Sequence, residues 1–593
     1  MTEFYYHEPS DHLVYRVNDG RIQMYVPDAR DLGGGFVAVP CSLHSMQVLR
    51  ALGYPVVPPI ADDYSWPIKG DWRPRAQQII MANFMVLNPR SCNLSDMGTG
   101  KTLSTLWAAD YVMEENPGMR CLIVCPMSVM QRVWGGTITT HFLGKRTYKI
   151  LHGSEKKRRE LLSEPADFYI INFEGTVIGA RKHNKRGVVL EGLSRDLADR
   201  KDIGIVAIDE ARAYSKDNTW RHRVARAALV QKPYVWPLTG TPTSNGPLDA
   251  HGIARLVNDA RGESFTAYKR RVMFQISEFK WVPRRGAVEE AYRLLQPSIR
   301  FEMRDCVDVP PCTETMRDVE LSDEQKKHYT NLRRDLVLDL GRGTKITAAH
   351  EAALRLKLIQ ISCGAIYDHD HNATRLDCSP RLAVLREVIE EAKRKVIIFA
   401  PLTSVVHLLY EELKEYSRAM INGDVKPAVR DQIFKRFYSE DDPHIIIADP
   451  GCMAHGLNDL VVAGVVVWFG PTDRPELYLQ GNKRIDRPGQ LAPTTIVQLA
   501  ATDEEREIYR RIAANQSLQG AMLSLVKEQK NVRQQLFPAA DDGRIDRQTP
   551  GNRRLHSGPS GGVRQNNGAM AAGLGRFERR DQVPLIGRWH AKF

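Results

Sequence analysis

A chain of 593 residues is too long for one hydrophobic core, and its length argues for three or four domains. Its 42% hydrophobic content is that of a globular protein; it has nine cysteines, and without a CxxC pair they point to neither a disulfide framework nor a zinc ribbon. The net charge of +12 suggests a nucleic-acid partner, but nine Lys or Arg against Glu578 and Asp581 place +7 in residues 547–593 and leave +5 for residues 1–546.

The start, Met-Thr-Glu-Phe-Tyr-Tyr-His, shows no basic flank followed by an apolar run, and no apolar stretch reaches the ~18 residues of a membrane span. The expectation is a soluble protein of a reducing, cytoplasmic compartment with no membrane partner. In residues 1–70 the sequence predicts a strand near 35–40, a helix over 42–52, and then a linker at Pro55, Pro58, Pro59 and Pro67. A small accessory domain is the reading there.

Next comes Ser95-Asp-Met-Gly-Thr-Gly-Lys-Thr102, followed at once by an apolar helical stretch over 102–113. Gly98, Thr99 and Gly100 form a loop whose backbone N–H groups can turn toward an anion. Lys101 can reach the β and γ phosphates, and the Thr102 hydroxyl can hold magnesium at a helix N-terminus. The strict pattern has Gly where Ser95 stands. A nucleoside triphosphate is the predicted ligand, with Mg2+.

Short apolar runs at 122–125, 168–171 and 205–208, each beside Pro, Asp or Asn, read as buried strands of a parallel sheet. The run ending at Ile208 delivers Asp209-Glu-Ala-Arg212. Asp209 can bind the metal through water, and Glu210 can position or deprotonate the attacking water. Leu238-Thr-Gly-Thr-Pro242 then sets Thr239 and Thr241 in a loop beside the presumed cleft.

From 256 to 375 the chain turns charge-rich and reads as helical insertion and linker, with a capping box at Ser322 and Gln325. Strand-like runs resume at 396–400, 445–448, 465–469 and 496–499, with Trp468 and Phe469 read as core. Gln480-Gly-Asn-Lys-Arg-Ile-Asp-Arg-Pro-Gly-Gln490 places Arg484 and Arg487 three apart, on one face of a helix predicted to end before Pro488. Residues 547–593, with eight glycines and little to bury, predict a disordered tail.

The order of these motifs across about 71–520 resembles the two-lobed helicases and translocases of superfamily two, and more narrowly the Swi2/Snf2-type DNA translocases. The resemblance implies an α/β fold of two RecA-like parallel-sheet lobes in tandem. The expected layout is an accessory domain (1–70), lobe 1 (71–255), a helical insertion (256–375), lobe 2 (376–520), a helix and linker (521–546) and the tail (547–593).

It further implies that Gln77, in Arg73-Pro-Arg-Ala-Gln77, reads the adenine of ATP, that Gln480 belongs to the nucleotide site, and that Arg484 and Arg487 are arginine fingers reaching ATP from lobe 2. Nucleic-acid contacts are expected at Ser128, Asn172, Thr239, Thr241, His455 and Asn458. The partner implied is duplex or forked DNA, read without sequence preference, rather than RNA. Replication, recombination or restriction proteins are possible companions, and a prokaryotic or phage origin would place the protein at the nucleoid or in host cytoplasm. One departure stands out: the family's magnesium motif ends in His, whereas Arg212 occupies that place here.

Overall fold

The computed structural model describes residues 4–17, 19–60, 64–70, 72–183, 187–277, 281–341, 356–367, 373–453 and 460–528. The tail expected at 547–593 lies outside the described residues.

The N-terminal segment is a four-stranded antiparallel sheet of β1 (Phe4–His7), β2 (His12–Arg16), β3 (Arg30–Gly33) and β4 (Phe36–Pro40), in the order β1-β2-β4-β3. Its inner face does not close a core of its own. Leu13, Tyr15, Val37 and Val39 pack with Ile80, Met81 and Phe84 of the helix Ala76–Leu87 and with Ile299 and Phe301. The expected accessory domain thus shares its hydrophobic core with the lobe that follows.

That lobe has β5 (Cys92–Asn93), β6 (Arg120–Cys125), β7 (Tyr148–Leu151) and β8 (Phe168–Asn172), a side hairpin of β9 (Arg181–His183) and β10 (Gly187–Val189), then β11 (Ile203–Asp209) and β12 (Tyr234–Leu238). A second hairpin, β13 (Met273–Gln275) with β14 (Trp281–Pro283), precedes β15 (Ser298–Ile299). The main sheet runs β15-β5-β12-β11-β6-β8-β7 and is parallel throughout. Helices cover both faces, so the central strands are buried on both sides; this is why they read as unbroken apolar runs rather than alternating ones.

The second sheet is built from β16 (Cys312–Asp318), then, past the small hairpin of β17 (Ala365–Tyr367) and β18 (Ala373–Arg375), β19 (Lys395–Phe399), β20 (Arg418–Ile421), β21 (Ile445–Ala448), β22 (Ala463–Trp468) and β23 (Thr494–Ala500). Its order is β16-β23-β22-β19-β21-β20, again all parallel. Trp468 and Phe469 are fully buried in its core.

Residues 256–375 differ from the expectation of helix and linker alone. They include the long helix Asp323–Gly341, whose capping box forms as predicted: Gln325 N–H donates to Ser322 Oγ at 3.2 Å and Ser322 N–H to Gln325 Oε1 at 3.0 Å. They also give one strand to each main sheet, β15 and β16. Neither has an apolar run to announce it. β15 is two residues long, and β16 is a polar edge strand with a mostly exposed face.

The final helix, Asp503–Glu528, straps the lobes together. Ile508, Tyr509 and Ile512 pack into the core of lobe 2, whereas Met522 and Leu523 pack with Ala287, Ala291 and Leu294 against lobe 1. At its root Arg381 makes a buried two-pronged ion pair with Glu505, at 2.8 and 2.7 Å.

Candidate active site between the lobes

The Gly-rich loop links β5 to the helix Lys101–Glu115. Gly98 and Gly100 take φ of +86° and +92°, which side chains resist. Both positions are also crowded. A Cβ on Gly98 would lie 2.8 Å from Pro488 Cδ of lobe 2, and one on Gly100 would collide with the Gln78 amide. Gly100 caps the helix without a side-chain hydrogen bond, so its first N–H groups keep their capacity for an anion.

Ser95 explains its own presence. It is fully buried and its Oγ accepts the Phe301 N–H at 3.0 Å, fastening the loop to the chain beyond β15. Arg300 holds Asp96 from the same side at 3.0 Å. Lys101 Nζ donates to the carbonyls of Ser95 at 2.7 Å and Asp96 at 2.8 Å, and burial lowers its pKa against the opposing pull of Glu210, Asp209 and Asp96. Thr102 follows it in the first turn of the helix. A cradle that two Cβ atoms would fill, with an ammonium at its rim, suits a polyphosphate.

Asp209 ends β11, flanked by β6 and β12, at the C-terminal edge where parallel sheets present ligands. Its carboxylate accepts Trp134 Nε1–H at 2.9 Å and the Glu210 N–H at 3.0 Å. Burial, with the Glu210 charge adding to it, pushes the Asp209 pKa up to about 6. Glu210 sits at φ +49° and ψ +48°, a left-handed conformation that costs a non-glycine residue of order 1 kcal/mol or more. Its pKa is raised by burial, with Lys101, Arg484 and Arg212 opposing. The two carboxylates therefore face cations from both lobes.

In lobe 2 the helix Pro475–Asn482 ends earlier than the sequence predicts, and Arg484 and Arg487 lie in the turn beyond it rather than on a helical face. Asn482 Oδ1 accepts Trp468 Nε1–H at 2.8 Å, while Arg484 N–H donates to Gly481 O at 3.1 Å and Ile485 N–H to Asn482 O at 3.2 Å, tightening the chain into turns ahead of Pro488. Gln490 fixes that turn from below, its Nε2 donating to Ala463 O and Ile485 O at 3.1 Å each. Gln480 is buried within the helix.

Arg484 is 4% exposed, and burial plus the neighbouring Arg487 charge lower its pKa to about 9, with Glu210 opposing. Arg487 is half-buried. The predicted site residues Lys101, Asp209, Glu210 and Arg484 thus come together around one cleft.

Three features of the cleft escape sequence reasoning. Gln78 lies on the loop at Gly100 and its Oε1 also accepts the Arg75 N–H at 3.1 Å, a contact that no motif announced. Gln77 is buried and its Nε2 lacks a hydrogen-bond partner. Trp134 steadies Asp209 from a segment with no motif. Arg212, in place of His, donates through Nε to Ser244 Oγ and pairs with Glu476 of lobe 2 at 3.0 Å.

The expected nucleic-acid contacts divide. Ser128 is exposed in the loop after β6. Thr239 and Thr241 are 1% and 5% exposed, with Thr239 Oγ1 accepting the Thr241 N–H at 3.1 Å and Gly240 packed against the Ser95 carbonyl. They brace the phosphate loop and offer no surface to a strand. Asn172 is likewise buried, held by Arg158 at 2.9 Å and Glu174 at 3.0 Å. His455 and Asn458 lie outside the described residues. Among the described residues no His, Cys, Asp and Glu group could hold a metal by itself, and no helix is long and apolar enough to cross a membrane.

The SNF2-related domain family matches residues 77–363, and the helicase conserved C-terminal domain matches residues 380–489. Protein p41 of the Acyrthosiphon pisum secondary endosymbiont phage 1 is 23% identical over 476 residues, covering 77% of this chain and 98% of p41. Chromodomain-helicase-DNA-binding protein 7 of Homo sapiens is 22% identical over 515 residues, 80% of this chain, but the match spans only 17% of that protein. The Sulfolobus solfataricus SWI2/SNF2 ATPase core in complex with dsDNA is similar at 20% identity, covering 79% of this chain and 98% of that one with a TM-score of 0.35. With an SNF2-related domain followed by a helicase C-terminal domain around one cleft, the chain is an ATP-hydrolysing enzyme and belongs to the Swi2/Snf2 family of superfamily-two helicases.

Proposed function

We propose that the protein is a DNA-dependent ATPase that translocates along duplex or forked DNA without reading its sequence. The observation that carries this reading is the electrostatic meeting of Glu210 on lobe 1 with Arg484 on lobe 2, beside the Lys101 cradle. A site divided between two bodies couples its occupancy to their separation.

In this reading Gly98, Thr99, Gly100 and Lys101 bind the β and γ phosphates, and Gln78 supports the loop. Thr102 and Asp209 are the residues suited to hold Mg2+, which when bound neutralises charge on the phosphate oxygens. Glu210, with its raised pKa, is placed to orient the attacking water and accept its proton. Arg484 and Arg487 supply positive charge to the transferring phosphoryl group from the opposite lobe. Turnover releases the negatively charged γ-phosphate that these cations face, weakens the hold between lobes and lets the surfaces that grip DNA alternate. The phage relative supports action in a host cytoplasm.

The test is ATP hydrolysis titrated with duplex, forked and single-stranded DNA and RNA at one salt concentration, because phosphate contacts are salt-dependent. Stimulation strongest with duplex or forked DNA, and lost in Lys101→Ala, is the expected result. Equal hydrolysis with and without nucleic acid would reject the motor. Preferential stimulation by single strands, with unwinding, would favour a strand-separating helicase, and co-purification with a nuclease or methylase would favour the motor of a restriction complex.

A further inference from the structure

Residues 261–285 carry seven Lys or Arg against Glu263 and Glu278, a net +5 that equals the sum over all of residues 1–546. The rest of the body is neutral in total, so this segment is one of its concentrated basic stretches. It folds as the helix Phe265–Val272 and the β13–β14 hairpin, in the register Met273↔Pro283, Phe274↔Val282 and Gln275↔Trp281.

The strand alternation sorts its side chains. Met273, on the inward face, joins Tyr268, Val272 and Trp281 against the helix Ala287–Leu294. Phe274 points the other way and is 53% exposed, with Ile276 beyond it at 57%. The Arg284 guanidinium lies 5.4 Å from the Phe274 ring centre and its Nε donates to Met273 O at 2.9 Å, so the ring stands on a cation fixed to the backbone. Lys269 lies over Trp281 at 4.0 Å, and Arg270 and Arg285 are exposed beside them.

Cations alone would suffice for a duplex, whose base faces are already stacked. A protruding aromatic ring among cations suits a strand whose bases are unpaired, because ring and base can stack while phosphates meet the guanidinium and ammonium groups. We infer that the β13–β14 hairpin is a second nucleic-acid contact that takes an unpaired DNA strand, with Phe274 stacking on a base and Lys269, Arg270, Arg284 and Arg285 neutralising its phosphates. The inference rests on the reading of the chain as a DNA motor and names where the opened or displaced strand at a fork is held.

The experiment measures anisotropy of a labelled oligothymidylate, a blunt duplex and a fork with the full-length protein, comparing wild type with Phe274→Ala and with Arg270→Glu/Arg285→Glu. Phe274→Ala is expected to weaken the single strand and the fork about tenfold while leaving the blunt duplex within about twofold. The charge-reversed variant is expected to weaken the same two ligands and to flatten their salt dependence by about one to two counterions. ATP hydrolysis without DNA should be unchanged in both, because these side chains are exposed and belong to no part of the cleft. Unchanged single-strand affinity in both variants, an equal loss on the blunt duplex, or capture of a protein by this face with nucleic-acid affinity unaltered would each overturn the inference. Absence of DNA-stimulated hydrolysis in wild type rejects the motor instead, whatever the hairpin does.

Discussion

Arg212 and Glu476 close an ion pair at 3.0 Å across the cleft, both side chains less than a fifth exposed. Arg212 lies two residues after Glu210, Glu476 lies eight before Arg484, and Arg212 is also bonded to Ser244 in the loop that braces the phosphate cradle. The longer arginine therefore reaches the opposite lobe from the place where the family has His. Its charge also helps hold Glu210 ionised.

A double-mutant cycle tests that bridge. Arg212→Ala and Glu476→Ala are each expected to cut DNA-stimulated kcat about tenfold, and the double variant to lose little more, giving a coupling of about 1–2 kcal/mol. The charge swap Arg212→Glu/Glu476→Arg should recover part of the rate. Strictly additive losses would mean that the pair does not act as a unit.

The carboxylates set a pH profile. With the Glu210 carboxyl raised by burial above the ordinary glutamate range, hydrolysis should fall as pH drops toward that range, whereas Asp209, near 6 in the metal-free site, is held ionised to lower pH once Mg2+ is bound. A carboxyl raised on folding stabilises the fold fully below its unfolded value of about 3.9, and that contribution is lost as pH rises through about 6. Asp209→Asn should therefore abolish hydrolysis yet raise stability by about 3 kcal/mol at pH 8 without nucleotide or magnesium, with little gain near pH 4. Thermal melts at the two pH values check the sign.

Gln77 and Gln78 should separate cleanly. Gln78 touches the loop at Gly100, so Gln78→Ala is expected to raise the KM for ATP about tenfold. Gln77 Nε2 is buried with no protein partner and is free to hold the adenine edge, so Gln77→Ala should raise KM for ATP and, unlike Gln78→Ala, erode the preference for ATP over GTP. Steady-state kinetics on the two variants decides.

The buried pair at the root of the strapping helix predicts a stability asymmetry. Arg381 and Glu505 are 1% and 0% exposed, so Arg381→Met strands a carboxylate and should cost about 3–5 kcal/mol in the denaturant transition of lobe 2. Arg381→Met/Glu505→Leu should cost much less, because no charge is left unpaired.

The sequence made the motor core readable where chemistry or burial forces a pattern. Two-sided burial makes β6, β8, β11, β19, β21 and β22 largely continuous apolar runs, and a phosphate loop needs Gly98 and Gly100 at positive φ next to Lys101. What stayed hidden depends on contacts far apart in the chain. β15 and β16 are edge strands defined by partners, not by their own residues. Glu476 looks like any acidic residue in a helix's first turn until lobe 2 docks it on Arg212. The contact of Gln78 with the phosphate loop turns on one step of helical phase from Gln77, about 100°, which a motif match cannot resolve. Thr239, Thr241 and Asn172 sit at or just past strand ends, where surface contact is a fair expectation, but packing beneath the phosphate loop and against Arg158 buries them.

In the shared cleft, hydrolysis needs a cation delivered by lobe 2 to a site otherwise built on lobe 1, and single-turnover hydrolysis by Arg484→Ala on DNA measures that need. The prediction is a rate about 10³-fold or more below wild type with ATP affinity within about threefold. A near wild-type rate would place the complete site within lobe 1 and contradict the shared cleft.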